Sequence, residues 1–426
     1  MKYNFLRSSL IIIVIFALFF SFFERSSTSV GLDNLAYITA IGIEAGDSDI
    51  YRISFQVSSI QSSSDSSSNT NSSNKSQEKN TNSKSSPFKV NTVECNSLDS
   101  GISLMNSLID KSIDLSHCKV LVISEELASK GINSLIASIV NKIEIRPDCN
   151  IIISTIPKDE FTDSDMPDIQ KLLPEYYSVT TSTENISGYT ENVTVSDFFY
   201  ALYCHCHEPV AALGTARSSK KSTVKPSNTT SSIDKTAQSI TSDNNDDSPV
   251  IEMLGLAVFK DDILVGKLSG TETVLNLLLT NKLETSTISI PTNISNTGTI
   301  DLEISLNRKP KIRVDTSSPS PFVDINLVID AKILSINSIT GNLTNELLEK
   351  VEYETTTYLT NQLYSYLNKT SKEYKSDINS FGRNGRKNFN TLQDWYNYDW
   401  PNAYSSSGFK VNVTTSVKSG YLLTNE

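Results

Sequence analysis

Cys204-His205-Cys206-His207 places two thiols and two imidazoles side by side. Soft ligands of this kind bind zinc or copper. Structural zinc sites, however, separate their ligand pairs by short loops so that the side chains can converge on one tetrahedral ion, and adjacent residues do not all turn the same way. No second ligand pair of similar density exists in a chain with 3 His and 5 Cys. The cluster therefore reads as an exposed, incidental loop just before Glu208-Pro209. An exported metal-binding or redox protein centred on Cys204 to His207 is the alternative reading.

His117-Cys118 is the other His/Cys pair, with Glu125 eight residues on. A thiol beside an imidazole could form a nucleophilic dyad, but neighbours in sequence seldom reach the required geometry and no third, orienting group is implied. A structural role is expected. The odd cysteine count gives no closed disulfide framework, and Cys95, Cys118 and Cys149 could pair only if the fold brings two of them close. No obligatory disulfide is expected. Phe381-Gly382-Arg383-Asn384-Gly385-Arg386 has the glycines and arginines of a phosphate cradle, but it follows a helix instead of opening one after a strand, and reads as a helix-terminating turn. Gly-x-Ser-x-Gly, His-Glu-x-x-His and paired-carboxylate signatures are absent. No catalytic, cofactor-binding or metal residue is assigned, so elimination leaves an exported binding or structural protein.

The elements that must position these residues follow from apolar periodicity. Ala36 to Ile43 and Tyr51 to Val57 read as strands joined by a turn, and Leu98 to Ile109 as a helix with Ile102, Met105 and Leu108 on one face. Lys119 to Ile123 is a short buried strand, Glu125 to Gly131 a helical turn, Asn133 to Ile143 a core-facing helix and Asn150 to Ile156 a strand. Ile251 to Phe259 and Ile263 to Leu268 form a hairpin, followed by a helix from Gly270 to about Asn281. Strands at Ser286 to Pro291, Gly298 to Leu306, Lys311 to Val314 and Phe322 to Ile336 precede one long helix, about 342–374, whose Leu347, Val351, Tyr358, Leu359 and Leu363 share a face. Gly408 to Val417 completes the last sheet. The fold class is multidomain α+β: mixed sheets with packed helices, ending in a mostly antiparallel sheet covered by the long helix.

Of 426 residues, 38% are hydrophobic and 20% charged, polar for a globular chain but not polar enough for disorder throughout. Two Ser/Thr/Asn-rich tracts, 58–87 and 215–249, account for the dilution and read as disordered, solvated insertions that cost little to keep. The domain plan is thus an N-terminal signal or anchor at 1–29, an α+β region at 30–214, a linker at 215–249, a connecting hairpin and helix at 250–282, and a C-terminal domain at 283–426. The net charge of -11 argues against nucleic acid or an anionic membrane surface as main partner.

At the N-terminus, Lys2 and Arg7 precede an apolar run from Leu10 to Phe23. At 1.5 Å per residue it spans about 21 Å, short of the roughly 30 Å hydrocarbon core, which fits a signal segment; Phe5 and Leu6 can extend it toward an anchor, and Ser27-Thr28-Ser29 is a poor cleavage site. Either way the rest of the chain is expected outside the cytoplasm.

The stretches LDNLAYITAIGIEAGDSDIYRISFQV from Leu32, HCKVLVISEELASKGI from His117 with Glu144-Ile145-Arg146 after it, and GLAVFKDDILVGKLSG from Gly255 together resemble the Ger(x)C family. So does the end of the chain, where Asp377 and Phe381-Gly382 follow the long helix and Trp395 and Trp400 come next. Members are C subunits of the nutrient germinant receptors of bacterial endospores. The resemblance implies a non-enzymatic, extracytoplasmic, membrane-attached protein without cofactor, acting with the integral membrane A and B subunits at the inner spore membrane. One departure bears on attachment. The family's lipobox cysteine and following Trp-Asp pair are missing from SSTSVGLDNLA, so lipidation is excluded and an uncleaved N-terminal helix, or the A and B partners, must hold the chain at the membrane.

Overall fold

The computed structural model describes residues 12, 34–46, 50–58, 88–155, 173–174, 176–177, 188–217, 250–292, 298–336 and 344–419. Apart from Ile12, the expected signal or anchor lies outside the described residues, and so do the Ser/Asn-rich tracts except at their ends. Among the described residues no helix is long and apolar enough to cross a membrane.

The chain builds β1 (Leu35–Ala45), β2 (Tyr51–Ser58), β3 (Phe88–Cys95), α1 (Leu98–Leu108), β4 (Ser112–Asp114), β5 (Val120–Ser124), α2 (Glu125–Lys130), α3 (Asn133–Asn141), β6 (Asn150–Ser154), α4 (Val195–Cys204) and β7 (Val210–Arg217). Beyond the second tract come β8 (Val250–Lys260), β9 (Ile263–Leu268) and α5 (Gly270–Thr280). These strands make a 9-stranded sheet in the order β3-β2-β1-β5-β6-β7-β8-β9, with β4 beside β1. Its centre, β1-β5-β6-β7, is parallel and both flanks are antiparallel. The parallel strands read as continuous apolar runs because both of their faces are buried: Ile151, Ile152 and Ile153 of β6 are all at 1% exposure or less.

The second sheet comprises β10 (Ser286–Thr292), β11 (Gly298–Leu306), β12 (Lys311–Asp315) and β13 (Phe322–Ile336), joined after the helices by β14 (Gly408–Ser419). β10, β11 and β13 alternate buried and half-exposed residues, the period expected of a sheet with one face on a core. The long helix α6 (Asn345–Asn368) covers that face with Val351, Thr355, Leu359, Leu363, Tyr366 and Leu367, and continues through one wider turn to Glu373. β14 pairs with β13 in parallel, not antiparallel, because a helical crossover separates them in sequence. Between α6 and β14 lie α7 (Phe381–Gly385), α8 (Leu392–Tyr398) and α9 (Trp400–Ala403).

Strand β8 ties the two modules together through its own two-residue period. Ala257 and Phe259 enter the core of the first module, whereas Leu256 and Val258 enter the core that holds the second sheet and α6. The hairpin expected to connect the modules is therefore an integral part of both.

Candidate functional site

The seam between the modules gathers most of the chemistry-bearing side chains. Helix α4 begins at Thr194, whose hydroxyl accepts the Asp197 N–H, and ends at His205 in the left-handed region with φ 49°. That turn reverses the backbone, brings the Cα atoms of Cys204 and Cys206 to 5.2 Å, and the two sulfurs are bonded as a disulfide. No disulfide is assigned to this pair from the sequence, and the structure has one. Spacing alone made the pair improbable, but a single left-handed residue between two cysteines supplies the reversal that an extended loop lacks.

The same turn corrects part of the reading of Cys204 to His207 as an exposed loop: His205 is exposed, but Cys204 and His207 are half-buried. Cys206 is buried against the core of the second module, and His207 Nδ1 lies 3.1 Å from Cys204 Sγ and 3.5 Å from Cys206 Sγ. Cys204, Cys206 and His207 thus do converge, against the spacing argument, with ligand atoms within 4.8 Å of one another. The disulfide ties up both sulfurs, and an Arg383 guanidinium nitrogen faces His207 Nε2 at 3.4 Å, so the cluster in this state offers an ion no thiolate. His205 turns away, edge-on to Tyr396 at 5.4 Å. Burial first, then the charges of Arg383 and Lys282, push the His207 imidazole down to about 4.

Directly after this loop stands Glu208, buried, its backbone N–H donating to Asp377 O at 3.0 Å and its Oε2 accepting the Asp261 N–H at 2.7 Å. Burial raises its carboxyl to about 7. Asp377 is buried too and accepts the Phe381 N–H at 3.1 Å, the Gly382 N–H at 2.8 Å and the Trp400 indole N–H at 2.9 Å. These bonds favour its charged form, yet burial outweighs them and holds the carboxyl at about 6. Asp377 therefore fixes the start of α7 and anchors Trp400, which stacks on Trp395 with centroids 5.8 Å apart. The Phe-Gly segment expected to terminate a helix instead opens one, after Ser380 in the left-handed region with φ 60°. Gly382 permits the contact with the first module: a Cβ there would sit 2.5 Å from both Cys206 O and Trp400 Nε1.

A buried amide and hydroxyl network completes the seam. The Tyr366 hydroxyl donates to Asn276 Oδ1 at 3.1 Å and accepts from Asn379 Nδ2 at 2.9 Å, while Asn276 Nδ2 donates to Glu191 Oε2 at 3.4 Å. Glu191 is also paired with Lys282. Above the network opens a cavity of about 600 Å³, lined from the first module by Tyr200, His207 and Glu208 and from the second by Lys309, Asn379 and Arg383. Sequence reasoning passed over Glu208, Glu191 and Asn276; the one available signal was an acidic residue held in an otherwise apolar connection.

His117 and Cys118 do not form a dyad. His117 Nδ1 meets Ser116 Oγ at 3.0 Å and its ring packs edge-on to Tyr37, whereas Cys118 is buried with Sγ 3.8 Å from Cys149 Sγ, both as free thiols. The hydrogen bond to Cys118 first, then burial, raises the Cys149 thiol well above its ordinary value, which suits a packing role.

Fold and seam together define a two-module α+β protein joined by a shared strand and a buried polar network. Residues 29–215 match the family model described as the spore germination protein N-terminal domain, and residues 254–420 match that of the spore germination B3/GerAC-like C-terminal domain. The chain belongs to the Ger(x)C family of spore germination proteins, as the sequence motifs suggested. A solved structure, the crystal structure of the GerBC protein, aligns with a TM-score of 0.48 at 14% identity over 88% of this chain and 96% of that one. No curated protein matches the chain.

Proposed function

We propose that this protein is the non-enzymatic C subunit of a spore nutrient germinant receptor, held on the extracytoplasmic face of the inner spore membrane and working with the A and B subunits in assembly and germination signalling. The family match over both modules carries this reading. The seam supports it: Asp377, Phe381-Gly382 and Trp400, the segment that carries the C-terminal resemblance, act as structural fasteners, with the Asp377 carboxylate spent on backbone and indole donors.

The sequence supports membrane attachment through the N-terminal segment. Without a lipobox cysteine, the apolar segment from Leu10 to Phe23 stays on the chain and serves as the anchor. Spore inner membranes washed at alkaline pH are expected to retain the protein, and mild detergent extraction is expected to bring down both integral membrane subunits with it. Release of the chain by the wash would refute the anchor; capture without either subunit would refute the assembly.

A further inference from the structure

We propose that the cavity between the two modules is a binding site for a small multivalent oxyanion, a carboxylate or phosphate compound, held by Lys309, Arg383 and Lys387. In a chain of net charge -11, these cations gather on one cavity, and none has a carboxylate partner among the described residues. Placing like charges around one space is unfavourable unless a counter-charge enters it. Of the carboxylates on the cavity, Glu191 is paired with Lys282 and Glu208 accepts the Asp261 N–H, which leaves Asp197, whose Oδ2 accepts the Thr194 hydroxyl, beside the three cations.

The cation end is also positioned. The Arg383 guanidinium lies 5.1 Å over the Tyr200 ring, which orders its planar fork, and a planar fork matches a carboxylate or phosphate through two parallel hydrogen bonds. Lys387 is steadied by Asn384 Oδ1 at 3.0 Å. Burial and the Arg383 charge hold His207 neutral beside them, so it adds no further positive charge, and its Nε2 accepts from the Arg383 guanidinium. The volume, about 600 Å³, lies in the range of small-molecule sites. Arg383 of the second module reaches over Tyr200 of the first, so the cation cluster lies at the seam.

Calorimetric titration of the detergent-solubilised full chain, at constant ionic strength, tests this with inorganic phosphate and with citrate as probes. Saturable binding of at least one is expected, with a matching rise in melting temperature. Arg383→Gln and the Lys309→Gln/Lys387→Gln double variant are each expected to weaken it tenfold or more, while Lys130→Gln, on α2, leaves it unchanged. Phosphate alone binding assigns a phosphate group, citrate alone a polycarboxylate. No saturable binding of either up to about 10 mM, or equal affinity in the folded double variant, overturns the proposal. The double variant changes exposed side chains only and so keeps the test valid if Arg383→Gln does not fold. The proposal stands on the seam and not on the receptor reading, which is judged by germination.

Discussion

Asp377 links three donors that would otherwise be buried without a partner. Asp377→Asn keeps the shape but offers one acceptor oxygen in place of two, so one of the Phe381, Gly382 and Trp400 N–H groups is left unsatisfied. A loss of about 2 kcal/mol in unfolding free energy is expected in urea titration, and a change under about 0.5 kcal/mol would contradict the role. Glu208 gives a pH prediction whose sign is fixed by the direction of its shift. The folded carboxyl, at about 7, holds a proton that the unfolded chain, with an ordinary carboxyl, releases. The associated stability is fully present below the unfolded value of about 4 and is lost as pH rises to about 7. Asp377, at about 6, adds a loss of the same sign. Glu208→Gln, which still accepts the Asp261 N–H, is expected to gain on the parent by on the order of 3 kcal/mol between about pH 4 and 8; a pH-independent difference would contradict it. Neither carboxylate could be singled out from residue type and spacing, since burial comes from the seam, which forms between segments far apart in the chain. Cys204 to His207 shows the same limit: the left-handed turn at His205 decides both the disulfide and the burial of Cys206, and no glycine marks it.

Among the elements, those with a long apolar period were legible in sequence and those next to polar tracts were not. The stripe of α6 and the alternation of β10, β11 and β13 match the sequence reading closely. β3 and β7 escaped it because each abuts a Ser/Asn-rich tract and draws its apolar partner surface from across the sheet. β3 also pairs residue by residue with β2, placing Arg52 against Glu94 at 2.9 Å, a cross-strand ion pair invisible before the register is known. Helix α4 was missed although it carries a capping box, since its aromatic-rich sequence has no strong polar face. At α7, close approach governs the junction. Gly382→Ala would push a methyl group onto the Cys206 carbonyl and the Trp400 indole, neither of which can move freely, and is expected to cost about 1–3 kcal/mol, read as a lowered denaturation midpoint. An unchanged midpoint would mean that the seam is looser than its contacts indicate.

For the whole molecule, the described residues of the chain show where much of its buried polarity goes. Its polar side chains at the seam are spent on joining the modules: Glu208 to the β8–β9 turn, Asp377 to α7 and Trp400, and Asn276 to Tyr366 and Asn379. Strand β8 feeds both cores, so the two modules share one packed strand. Such a body suits the proposed role of a receptor subunit. Spores of a strain lacking this chain, tested for germination with each nutrient in turn, are expected to lose the response to at least one nutrient and regain it when the chain is restored. Normal germination of those spores with every nutrient would contradict the claim.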